Sequence, residues 1–131
     1  MITFRTLLLI NNSNYEPNSR SSLDEWFSRV LDVPVDQLTV GDVAKAIRQD
    51  IFLDEVLPKA ESILKTDPLA GEYYDGELIS SIATLRPDEI KSALSSLQRI
   101  SAYLNQLDKT ELDKQVVVNI LKIDKLSHFK N

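Results

Sequence analysis

Apolar residues recur along this chain at the alternating three-and-four spacing that aligns side chains on one face of an α-helix. Leu23, Trp26, Phe27, Val30 and Leu31 form a first stripe, and Val40, Val43, Ala44 and Ile47 a second. Leu53, Val56, Leu57, Ala60, Ile63 and Leu64 mark a third helix, and Leu78, Ile79 and Ile82 a short fourth. The longest stripe is Ile90, Leu94, Leu97, Ile100, Leu104 and Leu107; the last is Leu112, Val116, Ile120 and Ile123. Polar residues between the stripes supply starts and stops. Ser22-Leu23-Asp24-Glu25 reads as a capping box, and Thr39 as an N-cap with Asp42 in the first turn. Arg86-Pro87-Asp88-Glu89 opens the longest helix, with proline at its first position, and Thr110 to Asp113 caps the last one. Pro58 predicts a kink or a fresh helix start, and Asp67-Pro68 ends the third helix. Leu69 to Gly76 reads as a loop bracketed by Gly71 and Gly76.

This pattern predicts an all-α fold, a compact single-domain bundle of about six helices spanning residues 1–131. Two places leave a short strand open. The β-branched run Val116-Val117-Val118 weakens the last helix, and the first ten residues suit helix or strand equally. Residues 11–22 are the one polar, turn-rich stretch, a loop or a mobile arm.

Composition narrows the class of function. There is no cysteine, which excludes disulfides, thiolate chemistry and Cys-based zinc sites. The longest early apolar run, Leu7 to Ile10, is too short for a signal-peptide core, and no stretch approaches a membrane span; the expected location is the cytoplasm. The single histidine, His128, has no nucleophile near it in sequence. Adjacent acid pairs such as Asp54-Glu55 and Asp88-Glu89 diverge by about 100° on a helix and do not converge by themselves. No phosphate-binding glycine loop, metal-binding histidine pair or nucleophile elbow is present. The chain reads as a binding protein and not an enzyme, with no cofactor and no metal.

Charge is unevenly spread. The chain carries −5 overall, yet residues 50–89 hold ten acids against three bases, leaving the remainder at +2. Such an acidic block repels nucleic-acid phosphates and attracts a basic partner. Acids at helix N-termini are also ordinary capping chemistry, so the block by itself leaves both readings open. Within it, Glu72-Tyr73-Tyr74-Asp75 is the sharpest feature, because tyrosines offer large, rigid contact area with a polar tip. One of the two tyrosines is expected in the core and at least one at an interface. Trp26 and Phe27 lie on an apolar stripe and are expected in the core.

From Leu38 to Ile82 the sequence resembles the immunity proteins of bacterial contact-dependent growth inhibition (CDI) systems. The resemblance rests on Leu38-Thr39-Val40-Gly41-Asp42-Val43, Ile47-Arg48-Gln49, Leu57-Pro58, Asp67-Pro68-Leu69, and the pattern of Gly71, Tyr73, Tyr74, Gly76 and Leu78. It covers roughly a third of the chain. Two positions depart from the family's pattern. An acidic residue usually follows the Leu-Thr-Val element where Gly41 stands here, and the helix usually ends Ile-Gly-Gln where this chain has Ile47-Arg48-Gln49. The resemblance implies a small helical protein that binds and neutralises a cognate C-terminal toxin domain as a 1:1 complex, protecting the producing cell. The partner it implies is basic, and a nuclease fits because nucleases must attract phosphate. The expected toxin-binding residues are Asp67, Glu72, Tyr73, Tyr74, Asp75 and Glu77. A helical adaptor unrelated to toxins is the alternative, and an enzyme whose residues meet only in three dimensions is a second.

Overall fold

A computed structural model describes residues 1–11 and 22–128. Seven α-helices occupy them: α1 (Phe4–Ile10), α2 (Ser22–Val30), α3 (Val40–Arg48), α4 (Leu53–Thr66), α5 (Glu77–Ala83), α6 (Leu94–Leu104) and α7 (Lys114–Ser127). Short 3-10 turns at Val35–Gln37, Pro87–Glu89, Lys91–Ala93 and Lys109–Glu111 make the corners. Among the described residues there is no strand; the N-terminal segment makes one isolated bridge, Thr3 to Pro34. The all-α expectation holds.

Five helices close a ring. α3 packs on α4, α4 on α6, α6 on α7, α7 on α5, and α5 returns to α3. Each apolar stripe turns to the ring's interior, where Leu57, Leu78, Ile79, Ile82, Leu97, Leu104, Ile120 and Ile123 are fully buried. Burying a side chain of this size stabilises the fold by about 1.5–3 kcal/mol relative to exposure. α1 and α2 close one side through an aromatic cluster in which Phe4 lies 5.7 Å from Phe27 and 5.6 Å from Phe52. Trp26 and Phe27 are each 6% exposed, in the core as their stripe predicts.

Several local expectations meet a stronger constraint. The Arg86–Glu89 signal does start a helical segment, but only a 3-10 turn, in which the Glu89 carboxylate accepts from the Arg86 N–H at 2.8 Å. Ile90 (ψ 2°) and Ala93 (ψ 6°) then leave the helical region, so α6 begins at Leu94 and is shorter than α4 and α7. Ile90 and Ala93 are both buried in the core. At Pro58 α4 runs on without a fresh start. Proline's missing N–H frees the carbonyl four residues back, and Asp54 and Pro58 both lie on the exposed face, where water can satisfy it. Ser22 is already the first helical residue of α2 and not its cap; the residue before it lies outside the described residues. The same holds for most of the expected arm at 11–22. Asp113 caps α7 by accepting from the Gln115 N–H, and Val116 to Val118 are helical. Tertiary packing of Val116 against the ring outweighs the weak helix preference of β-branched residues.

Candidate functional site

In the ring, α3 stands between α4 and α5, so the connection from α4 to α5 must cross it. That connection is residues 67–76. It starts with Asp67, whose Oδ1 accepts from the Leu69 N–H at 3.1 Å, an Asx turn. Its neck is closed by two backbone bonds, Gly76 N–H to Leu69 O (2.9 Å) and Leu78 N–H to Ala70 O (3.1 Å). Ala70 is buried beneath it. The result is a compact loop with adjoining ends.

Glu77 is the inner support. Only 2% exposed, its Oε1 accepts from the N–H groups of Glu72 (2.7 Å) and Tyr73 (3.3 Å). Its Oε2 faces Arg48 Nη1 at 3.5 Å, and that guanidinium also donates to Ser81 Oγ at 2.8 Å. Ser81 Oγ in turn donates to the Glu77 carbonyl. A buried carboxylate is tolerable only with such donors, and here they convert an otherwise free loop backbone into a fixed one. Arg48 supplies the counter-charge.

All three glycines of the chain frame this loop. A Cβ on Gly41 would overlap the Glu72 carboxylate lying across α3. One on Gly71 would overlap the Tyr74 carbonyl and sit 2.8 Å from Glu77 Cβ. Gly76 has φ +85° and would bring a Cβ to 3.0 Å from Val116, a conformation glycine adopts at no steric cost.

The six residues expected to bind the partner therefore divide. Asp67, Glu72, Tyr73, Tyr74 and Asp75 are exposed, whereas Glu77 is buried and its carboxylate holds the backbone of Glu72 and Tyr73. The expectation that one tyrosine enters the core is corrected: Tyr73 is 80% and Tyr74 54% exposed. Their backbone is tied to Glu77, through the Tyr73 N–H to its Oε1 and the Tyr74 carbonyl to its N–H. The Glu72 and Asp75 side chains have no hydrogen-bond or ion-pair partner among the described residues.

A second polar constellation lies behind the first. Asp42, 8% exposed, accepts from Trp26 Nε1 at 3.0 Å and Arg29 Nη2 at 3.1 Å, and its own N–H is capped by Thr39 Oγ1. Burial alone would push its carboxyl up. The hydrogen bonds from Trp26, Thr39 and Arg29 outweigh that and hold it below the usual aspartate range. Thr39, Gly41 and Asp42 thus each serve the structure: Thr39 caps α3, Gly41 admits Glu72, and Asp42 ties α2 to α3. Sequence spacing flagged the cap but carried no sign of the Asp42–Trp26 bond or of Arg48 beneath Glu77, contacts between residues 16 and 29 positions apart.

Among the described residues no group of three or more His, Asp and Glu side chains could hold a metal ion, and no helix is long and apolar enough to cross a membrane. His128 is exposed, with Nδ1 2.8 Å from the Asp124 carbonyl.

An outward-facing loop on an all-helical ring, with both tyrosines and the Glu72 and Asp75 carboxylates left without internal partners, is the equipment of a protein-binding module. The family model of CDI immunity proteins matches residues 9–100, most of the chain and all of the elements that build this loop. The chain belongs to that family, and its function is immunity against a CDI toxin through binding of the cognate toxin. Such families are generally inhibitors without catalytic activity. No curated protein sequence matches the chain significantly.

Proposed function

We propose that the chain acts as one immunity domain in the cytoplasm of the cell that makes it, covering a basic toxin domain in a 1:1 complex. The contact surface is Asp67, Glu72, Tyr73, Tyr74 and Asp75, with Glu77 contributing from below by fixing the loop. The observation that carries this reading is the exposure of both tyrosines on a backbone pinned at its neck and again at Glu72 and Tyr73. Exposed aromatics on a preordered loop lose little conformational entropy on binding, the usual setting of interface hot spots. The unpaired carboxylates beside them favour a cationic partner surface, and a nuclease presents one because it must hold phosphate.

The test is a binding titration with the toxin domain encoded beside this gene, at low and at physiological salt. The companion protein has Glu72, Tyr73, Tyr74 and Asp75 all replaced by Ala. The reading expects a loss of at least about 100-fold in the variant, since hot-spot truncations cost about 2 kcal/mol or more each, and faster association at low salt. Tight binding unchanged by the variant would move the site elsewhere, and salt-insensitive association would remove the role of the carboxylates. Assay of nuclease activity in the free toxin, with and without this protein, checks the chemistry of the partner.

A further inference from the structure

Beside the loop runs a groove of about 640 Å³ between residues 69–80 and the first turns of α7. Leu69, Gly76 and Val116 form its apolar floor, and Tyr74, Asp75, Asp113 and Asn119 are the lining groups with binding chemistry. No basic residue lines it. Asp113 spends Oδ1 on the Gln115 N–H, at 2.8 Å, and keeps its second carboxylate oxygen. Asp75 has both of its own. Asn119 is the informative member. It is 6% exposed, its Oδ1 accepts from Gln115 Nε2 at 3.3 Å, and its Nδ2 has no acceptor among the described residues. No buried side-chain polar atom lacks a partner among the described residues, so Asn119 Nδ2 is the part of this mostly buried side chain that opens to the groove, where an incoming acceptor can reach it.

We infer that this groove receives an arginine-bearing segment of the toxin, so that the interface extends from the loop onto α7. The guanidinium meets the Asp75 and Asp113 carboxylates with Tyr74 as an aromatic wall, and a backbone carbonyl of the same segment accepts from Asn119 Nδ2. Arginine is the matching side chain because its planar fork satisfies two carboxylates and stacks on an aromatic ring at once. The inference rests on the proposed toxin-binding role and deepens it.

Two changes on α7, both outside the loop, test it in the full chain against the same toxin domain. Gln115→Trp fills the groove; Asp113→Asn removes charge while keeping an N-cap residue. With thermal melts matching the parent, Gln115→Trp is expected to weaken toxin binding at least about tenfold, which is 1.4 kcal/mol. Asp113→Asn is expected to slow association severalfold at low salt, with the difference closing at high salt. Its effect should vanish in a double-mutant cycle with one toxin arginine changed to alanine. If both variants bind as the parent does while the loop variant does not, the groove is a bystander and the proposed function stands without it. If the parent itself fails to bind the toxin, both readings fall. A change in self-association for Gln115→Trp, read by light scattering, would assign the groove to a second copy and overturn the inference.

Discussion

Two acidic regions of this molecule look alike in sequence and behave differently in space. One is the 67–77 loop. The other is the corner where Asp50 meets the turn Arg86–Glu89. At the corner the charges answer one another: Glu89 pairs with Arg86 at 3.2 Å and Asp88 lies 3.9 Å from the same guanidinium. Burial, followed by the neighbouring Glu89 and Asp88 carboxylates, pushes the Asp50 carboxyl up, and Arg86 only partly offsets this. At the loop Glu77, underneath, is answered by Arg48 and Asp67 accepts from the Leu69 N–H, while the outward Glu72 and Asp75 stay unpaired. Elsewhere in the acidic block Glu61 is absorbed by Lys65 and Arg99, and Asp54 accepts from Ser92. Counting acids along the chain therefore overstates the attracting surface. A binding face needs acids whose backbone is held by something else.

The largest effect should come from removing what holds the loop. Glu77→Ala leaves Arg48 and two loop N–H groups without their acceptor and is expected to cost about 2–4 kcal/mol, read by urea unfolding. Hydrogen exchange should show the Glu72 and Tyr73 amides losing protection, and toxin binding should fall with them. If those amides exchange as before, the loop is held by its neck alone and the contrast with the corner loses its basis.

The glycines sharpen the contrast at smaller cost. Gly71→Ala meets a backbone carbonyl and is expected to destabilise by about 1–3 kcal/mol. Gly41→Ala meets chiefly the mobile end of Glu72 and gains helix propensity of up to about 1 kcal/mol. Its stability should therefore change little while toxin affinity drops, because the Glu72 carboxylate must move. Equal loss of stability in both variants, measured by thermal melts, would show that Glu72 is as fixed as the backbone.

The smallest effects are in pH. Asp42 titrates low in the folded protein, so its contribution is present above the ordinary value of 3.8 and is lost as pH falls through its lowered folded value. Asp42→Asn should be destabilising near neutrality, with the gap to the parent narrowing in acid. Asp50 titrates high, so the fold loses stability as pH rises from the ordinary value of 3.8 through its raised folded value. Its φ of 57° is also one asparagine tolerates well. Asp50→Asn should be neutral to slightly stabilising at pH 7 and should show no gain below the unfolded-state value. Melts across pH that gave both variants the same sign would erase the distinction between an aspartate that is answered and one that is crowded.

Much of the architecture was legible from periodicity, because an amphipathic stripe depends only on neighbours three and four residues away. The stripes at Leu53–Leu64 and Leu78–Ile82 each became a helix, and Thr39 became the N-cap its position suggested. Errors arose where a local signal competed with burial. Arg86–Glu89 carries good helix-start residues, yet only a 3-10 turn forms there and the core residues Ile90 and Ala93 lie outside the helix that begins at Leu94. The expectation of one core tyrosine follows from the resemblance, in which the aromatic position of this loop recurs; in the structure both Tyr73 and Tyr74 face outward.

By itself, then, the sequence determined the helical class, a loop at 69–76, its glycines and its acidic aromatic character, and through the resemblance the family. The tertiary structure alone decided that α3 separates α4 from α5, and hence that the loop crosses Gly41. It also decided that Arg48 lies beside Glu77, and that Asp113 and Asn119 on α7 share a groove with Tyr74 and Asp75. These pairings join residues far apart in the chain. Local pattern reports which face of a helix is apolar, but which faces meet is fixed by the packing of the whole ring.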